Sequence, residues 1–306
     1  MKNKLMMTSA SSVALIAGAA HQGLAQDALL PSGYTLNIQG AYGRLNNPYV
    51  DKYEGAPSEF QEKIGDANSD NGYIGSVSLG RQLAPNQDMA FALTVGGSVD
   101  NDITRTEEGS GYTETSVRSN DLSFAALDIE LGRTIPMQAA DGRLFYGARA
   151  LYSNSEQEKL GRYESNGNYD EVTEGVTSEY VGLGPRVGVG FATKPVVGQI
   201  GFSGELGAAI LVGERTDTYT SKYSYGGSGS SYSSSYSSGF SEKTNVASLD
   251  AQLGMDYYVS PTSKISVGYQ LQQLWNVDTT SDEDDFEDIA SPRIIHGAFV
   301  GFTTTF

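Results

Sequence analysis

Six polar side chains between residues 149 and 272 have the chemistry to line a charged passage: Arg149, Arg186, Glu205, Asp250, Gln270 and Gln272. Guanidinium and carboxylate groups brought face to face can pair, hold an ion or select solutes by charge, and amides add neutral donors and acceptors. Away from bulk water, charged groups are tolerated only if they are paired or wet. Other chemistry is sparse. His296 is the only histidine after residue 25, and there is no cysteine. Zinc ligation is therefore improbable, and no serine or carboxylate shares the strand face of His296, which reads better as an interfacial residue than as a general base. DANSDNG, from Asp66 to Gly72, opens like a calcium loop with Asp66, Asn68 and Asp70, but Asn71 replaces the required glycine and Val77 the closing glutamate. SDEDDFED, from Ser281 to Asp288, is a stronger negative field that reads as solvated surface with at most loose cation binding. GLGPRVG lacks dinucleotide-fingerprint spacing and no helical pattern follows it. No catalytic residue and no cofactor is expected.

The elements that position these groups alternate with a period of two. In GYTLNIQGAYG, Tyr34, Leu36, Ile38, Gly40 and Tyr42 share one face, opposite Thr35, Asn37, Gln39 and Ala41. Eight strand steps tilted by about 40° put the two tyrosines roughly 20 Å apart in height, close to the spacing of two aromatic girdles. The same alternation sets Leu144, Tyr146, Ala148, Ala150 and Tyr152 against Arg143 and Arg149. It sets Ile200, Phe202, Leu206, Ala208 and Ile210 against Ser203 and Glu205, and Leu249 to Tyr257 against Asp250, Gln252 and Asp256. It sets Ile265, Val267, Tyr269, Leu271 and Trp275 against Ser266, Gln270 and Gln272. MAFALTVGGSV and the terminal RIIHGAFVGFTTTF alternate likewise, and GYIGSVSLG, LSFAALDIEL and YVGLGPRVGVGF are weaker candidates, for ten strands in all. Pro185 falls inside one of them and calls for a bulge or a shifted strand.

Connections alternate too. Long ones run over about 44–71, 100–116, 153–176, 213–243 and 276–292, and short ones hold Pro85, Pro136, Pro195 and Pro261. That pattern predicts an all-β, up-and-down antiparallel transmembrane barrel, with long surface loops and short periplasmic turns. The stretch YTSKYSYGGSGSSYSSSYSSGF, about residues 219–240, reads as a disordered, low-complexity surface loop whose tyrosines could contact glycans or a partner.

The N-terminus is consistent with export to a membrane. Lys2 and Lys4, an apolar run from Val13 to Ala20, and Gly23 and Ala25 predict a cleaved signal peptide over 1–25, with cleavage after Gln26 as the alternative. The barrel then spans 26–306. Without Lys2 and Lys4, 18 basic residues face 37 acidic ones, a formal charge of −19, which excludes nucleic acid as a partner. The expected location is the outer membrane, with lipid and the barrel assembly machinery as partners. Phe302 and Phe306, on the apolar face of the last strand, are the expected assembly signal.

EYVGLGPRVGVGF, GELGAAILVG, VGYQLQQLWNV and especially SPRIIHGAFVGFTTTF resemble the pore-forming outer-membrane family related to the Legionella major outer membrane protein, over Glu179–Phe306. The resemblance implies an outer-membrane barrel with channel activity and offers no catalytic motif. Ten strands leave only a narrow lumen, so the six polar residues line a small pore or plug it. The reading that follows is a narrow, cation-preferring pore for small solutes or ions, given an acidic lining and acidic mouths. Its alternative is a non-conducting structural or adhesive barrel whose long loops meet a surface ligand.

Overall fold

Alternating side chains on both faces of each stave make the chain a continuous antiparallel sheet. The computed structural model describes residues 33–45, 71–99, 103–109, 112–195, 199–227, 230–277 and 292–306. The segment 1–25 expected to be a signal peptide, the Asp66–Asp70 run and Ser281–Asp288 lie outside the described residues. The strands are β1 (Tyr34–Leu45), β2 (Asn71–Ala84), β3 (Gln87–Val99), β4 (Ile103–Gly109), β5 (Tyr112–Pro136), β6 (Ala140–Ser165), β7 (Asn168–Thr193), β8 (Ile200–Gly227), β9 (Ser230–Ser260), β10 (Ser263–Trp275) and β11 (Arg293–Thr305).

Neighbours in sequence are neighbours in the sheet, and two contacts close it. β1 pairs with β11, where Tyr34 and Phe306 exchange both backbone hydrogen bonds at 2.9 Å. β3 pairs with β5, and β4 continues β3 along the same partner, since Gly97 faces Ser123 and Ile103 faces Arg118. Among the described residues eleven strands thus form ten staves, the number expected. The outward faces are apolar: Phe91, Leu93, Leu183, Ile210, Leu253 and Val300 are all exposed. In water such a surface would be an aggregation hazard; in lipid it is the required exterior.

Two expectations need correction. The stretch 219–240 is not a disordered loop: β8 and β9 continue through it as a paired hairpin, with Tyr219 facing Ser238 and Tyr223 facing Ser234. The long connections expected at 100–116 and 153–176 are likewise largely strand, the second turning at Asn166–Gly167 with φ of 53° and 80°, as a type I′ hairpin turn demands. These segments are poor in aliphatic residues, and 219–240 has none, but each gains its ladder from a neighbour, and cross-strand contacts add to it. Tyr223 and Tyr232 rings lie 6.3 Å apart and Tyr219 and Tyr236 rings 6.4 Å apart. The Tyr223 hydroxyl donates to Asp170 Oδ1 at 2.8 Å, which raises the phenol above its ordinary pKa. Strands of 25–31 residues therefore rise well beyond the roughly 9–11 needed to cross the bilayer, and β5–β9 form a wall above one side of the rim.

The second correction concerns Pro185, which sits in neither a bulge nor a shifted strand. Leu183 faces Val212 and Arg186 faces Ala209 in one unbroken register, and only the Gly184 and Pro185 pairs are missing from the β7–β8 ladder. On its other side Pro185 remains paired with Ala148. Proline costs one donor and nothing more. Pro185→Val should restore that bond and raise the urea midpoint of the micelle-folded barrel by the equivalent of about 1 kcal/mol. A lower midpoint would show that the fixed proline backbone is itself needed there.

Candidate functional site in the barrel lumen

The inward faces of the staves meet in three layers. Near the short turns, Lys264 Nζ donates to Asp256 Oδ2 at 2.8 Å and Ser266 Oγ donates to Asp256 Oδ1 at 2.6 Å, beside buried Asn37 and Thr303.

The middle layer is ionic. Arg149 forks onto Asp128, with Nε to Oδ1 and Nη2 to Oδ2 both at 2.7 Å, and its Nη1 reaches Asp250 Oδ1 at 2.7 Å. Arg186 forks onto Asp250 at 2.7 and 2.6 Å and sends Nε to Glu130 Oε1 at 2.9 Å. Arg143 donates to Asp88 at 2.6 Å and to Glu130 at 3.2 Å. Asp250 thus bridges two arginines and Glu130 bridges two. Fork-to-fork pairing of this kind fixes geometry as well as charge. Gly207 makes the close approach feasible, because a Cβ there would lie 2.5 Å from both Arg186 Nη2 and Asp250 Oδ2. The amides complete the ring: Gln39 donates to Gln252 Oε1 at 3.1 Å and also to Gln270. Within the layer a cavity of about 30 Å³ remains, lined by Ser76, Thr94, Gln270, Gln272 and the ionic side chains. That is room for water, not for a hydrated solute.

Toward the long hairpins lies an apolar layer. Leu45, Ile74, Leu122, Phe124, Leu151, Tyr180, Leu211, Val246, Leu274, Val277 and Ile295 form one buried cluster across the lumen. Arg293, donating to Ser155 Oγ at 3.1 Å, sits above it.

All six expected lumen residues face inward. Arg149, Arg186 and Asp250 come together directly. Glu205 stands at the margin, 3.8 Å from Arg186, and Gln270 and Gln272 line the opposite wall. Arg149, Arg186 and Asp250 belong to one hydrogen-bonded network, and Glu205, Gln270 and Gln272 line the small cavity beside it. Asp88, Asp128, Glu130 and Gln39 were missing from the expected set, although the alternation in LSFAALDIEL places Asp128 and Glu130 opposite Leu127, Ile129 and Leu131. Phe302 and Phe306 point outward, Phe302 opposite Ile38 and Ile265 and Phe306 stacked on Tyr34 at 6.3 Å. His296 also faces outward, hydrogen-bonded through Nδ1 to the Tyr269 hydroxyl, their rings 5.8 Å apart. Among the described residues no cluster of three or more metal-ligating side chains occurs.

Residues 34–305 match the family of the Legionella pneumophila major outer membrane protein precursor. A sequence search of curated proteins returned no match. Similar solved structures include the outer membrane protease OmpT of Escherichia coli, at 13% identity and TM-score 0.35, covering 90% of this chain and 97% of that one. CarO of Acinetobacter baumannii aligns at 14% identity and TM-score 0.30, covering 92% and 100%. A major outer membrane protein of Thermus thermophilus aligns at 14% and 0.27, covering 90% and 100%. Likenesses this distant carry no inference about this chain's chemistry.

Proposed function

Because this chain belongs to the Legionella major outer membrane protein family, it is an outer-membrane β-barrel, and we propose that it serves as a structural barrel whose lumen is shut in its resting state. The observation that carries this reading is the stacking of two different barriers in series, the ionic layer and the apolar layer. An ion would have to break fork-paired guanidinium contacts and then cross a buried apolar layer in which the Tyr180 hydroxyl is the one polar side-chain group. No catalytic activity and no cofactor is part of the proposal; lipid and the assembly machinery are its partners.

A narrow, cation-preferring pore for small solutes is the second reading, and charge is the observation that favours it. Five carboxylates (Asp88, Asp128, Glu130, Glu205 and Asp250) face three guanidiniums (Arg143, Arg149 and Arg186), two more negative than positive when all are ionised. Any opening would thus pass cations in preference to anions. Ion leakage from proteoliposomes separates the two. The shut barrel holds a potassium gradient as protein-free vesicles do, and steady leakage from wild type would favour the pore.

Phe302 and Phe306 are proposed to serve assembly as well as lipid contact. Changing both to alanine should slow the appearance of the heat-modifiable folded band in cells several-fold. Unchanged folding kinetics would leave them as ordinary lipid-facing residues.

A further inference from the structure

Among the described residues the wall above the rim has two edges with no strand beside them, and they differ in kind. β4 is seven residues long with the sequence ITRTEEG, so its edge is short and charged. β9 is the opposite. Its pairing with β10 begins only at Ala247–Trp275, so among the described residues no strand covers its other side from Ser230 to Val246. Over Ser230–Ser241 that edge reads SSYSSSYSSGFS. It carries no charge and no proline, shows no break of register against β8, and is exposed throughout. Edges that must stay single are normally guarded by charge, proline or a bulge. This one has none of these, in a chain of net charge −17.

We propose that this edge is a homophilic docking strand that pairs antiparallel with the same segment of a second copy. The pattern is self-complementary. With a two-fold axis through Ser235, Tyr232 falls opposite Ser238 of the second copy, Tyr236 opposite its Ser234, and Phe240 opposite its Ser230. Each ring then meets a serine, the arrangement β8 and β9 already use where Tyr223 faces Ser234, Tyr219 faces Ser238 and Tyr236 faces Ser221. The ring-bearing face continues across the joint, and the serine face continues on the other side. No like charges meet over the eleven residues from Ser230 to Phe240, whereas most other surfaces of two such acidic chains repel.

Topology sets where the second copy sits. Two barrels side by side in one membrane present strands tilted in opposite senses, crossing at roughly 80° for a tilt of about 40°, and cannot zip together. A two-fold axis lying parallel to the membrane plane makes the strands antiparallel and points the barrels away from one another. The partner therefore stands in an apposed membrane, and the joint is an adhesive contact between surfaces, whether or not the lumen conducts.

The absence of native cysteine makes the register testable by cross-linking of the full-length protein in proteoliposomes. Directly opposed residues of antiparallel strands lie within disulfide range. Ser235→Cys should give a covalent dimer, and Ser231→Cys at least ten-fold less. Ser233→Cys mixed with Ser237→Cys should cross-link, and each alone should not. Tyr236→Lys should abolish both the Ser235→Cys dimer and vesicle clustering while leaving heat-modifiable folding intact. Equal cross-linking by Ser231→Cys and Ser235→Cys, or no dimer from folded Ser235→Cys, overturns the proposal. So does clustering that survives Tyr236→Lys, which would assign adhesion to another surface or ligand.

Discussion

Replacing Asp250 by alanine lowers the stability of the folded barrel by about 3 kcal/mol, whereas Glu205→Gln shifts it by less than about 1 kcal/mol. The two carboxylates look equivalent in sequence, both inward and at mid-height. Geometry separates them. Asp250 accepts hydrogen bonds from Arg149 and from both terminal nitrogens of Arg186, at 2.6–2.7 Å. Its loss leaves each guanidinium short of a partner in a layer where both are 3% exposed. Breaking a buried pair from one side costs about 3–5 kcal/mol. The lower end applies because 18% of the Asp250 side chain remains accessible. Glu205 approaches Arg186 only to 3.8 Å and shares its surroundings with Glu130 and Asp250. Neutralising it removes repulsion along with one long contact. The urea midpoint in micelles reads both changes. A loss on Glu205→Gln as large as that on Asp250→Ala would mean that the network is centred elsewhere.

The second large effect concerns conduction and is non-additive. The ionic and apolar layers block the lumen in series, so thinning either one alone leaves the other shut. Phe124→Ala with Leu211→Ala removes two buried apolar side chains from the upper layer, at about 3–5 and 2–5 kcal/mol in stability, and should leave vesicle leakage near the wild-type level. Arg186→Gln alone should do the same, since Arg143 and Arg149 still hold Asp88 and Asp128. The triple variant should leak at least ten-fold faster than either. Its current should be carried by cations, because five carboxylates then face only two guanidiniums. Leakage from the Phe124→Ala, Leu211→Ala pair equal to that of the triple variant would show that the ionic layer is no barrier.

The barrel was legible in the sequence because lipid outside and polar groups inside impose a two-residue period on each stave. His296 could be set on the outer face by parity alone, and Arg149, Arg186 and Glu205 on adjacent staves by counting from their turns. Where both faces are apolar the period vanishes. Ala209, Ile210, Leu211 and Val212 run consecutively, so nothing marks Leu211 as a lumen residue, and Phe124 hides the same way beside Ala125 and Ala126. The apolar layer was therefore invisible. The partners of the arginines were missed for a related reason: just above Asp128 and Glu130 the stave runs Phe124, Ala125, Ala126 and Leu127 without a polar residue, which weakened its alternation. The paired wall over 219–240 escaped because its order resides in a ladder between two segments, and neither segment has a core of its own to announce it.

Single-channel recording in planar bilayers tests the shut lumen most directly, with wild type compared against the Phe124→Ala, Leu211→Ala, Arg186→Gln triple variant. A shut resting lumen predicts that wild-type barrels, shown to be inserted, give no sustained open level. The triple variant should then give stepwise, cation-preferring openings. A steady ohmic conductance from wild type, equal to that of the triple variant, would contradict it.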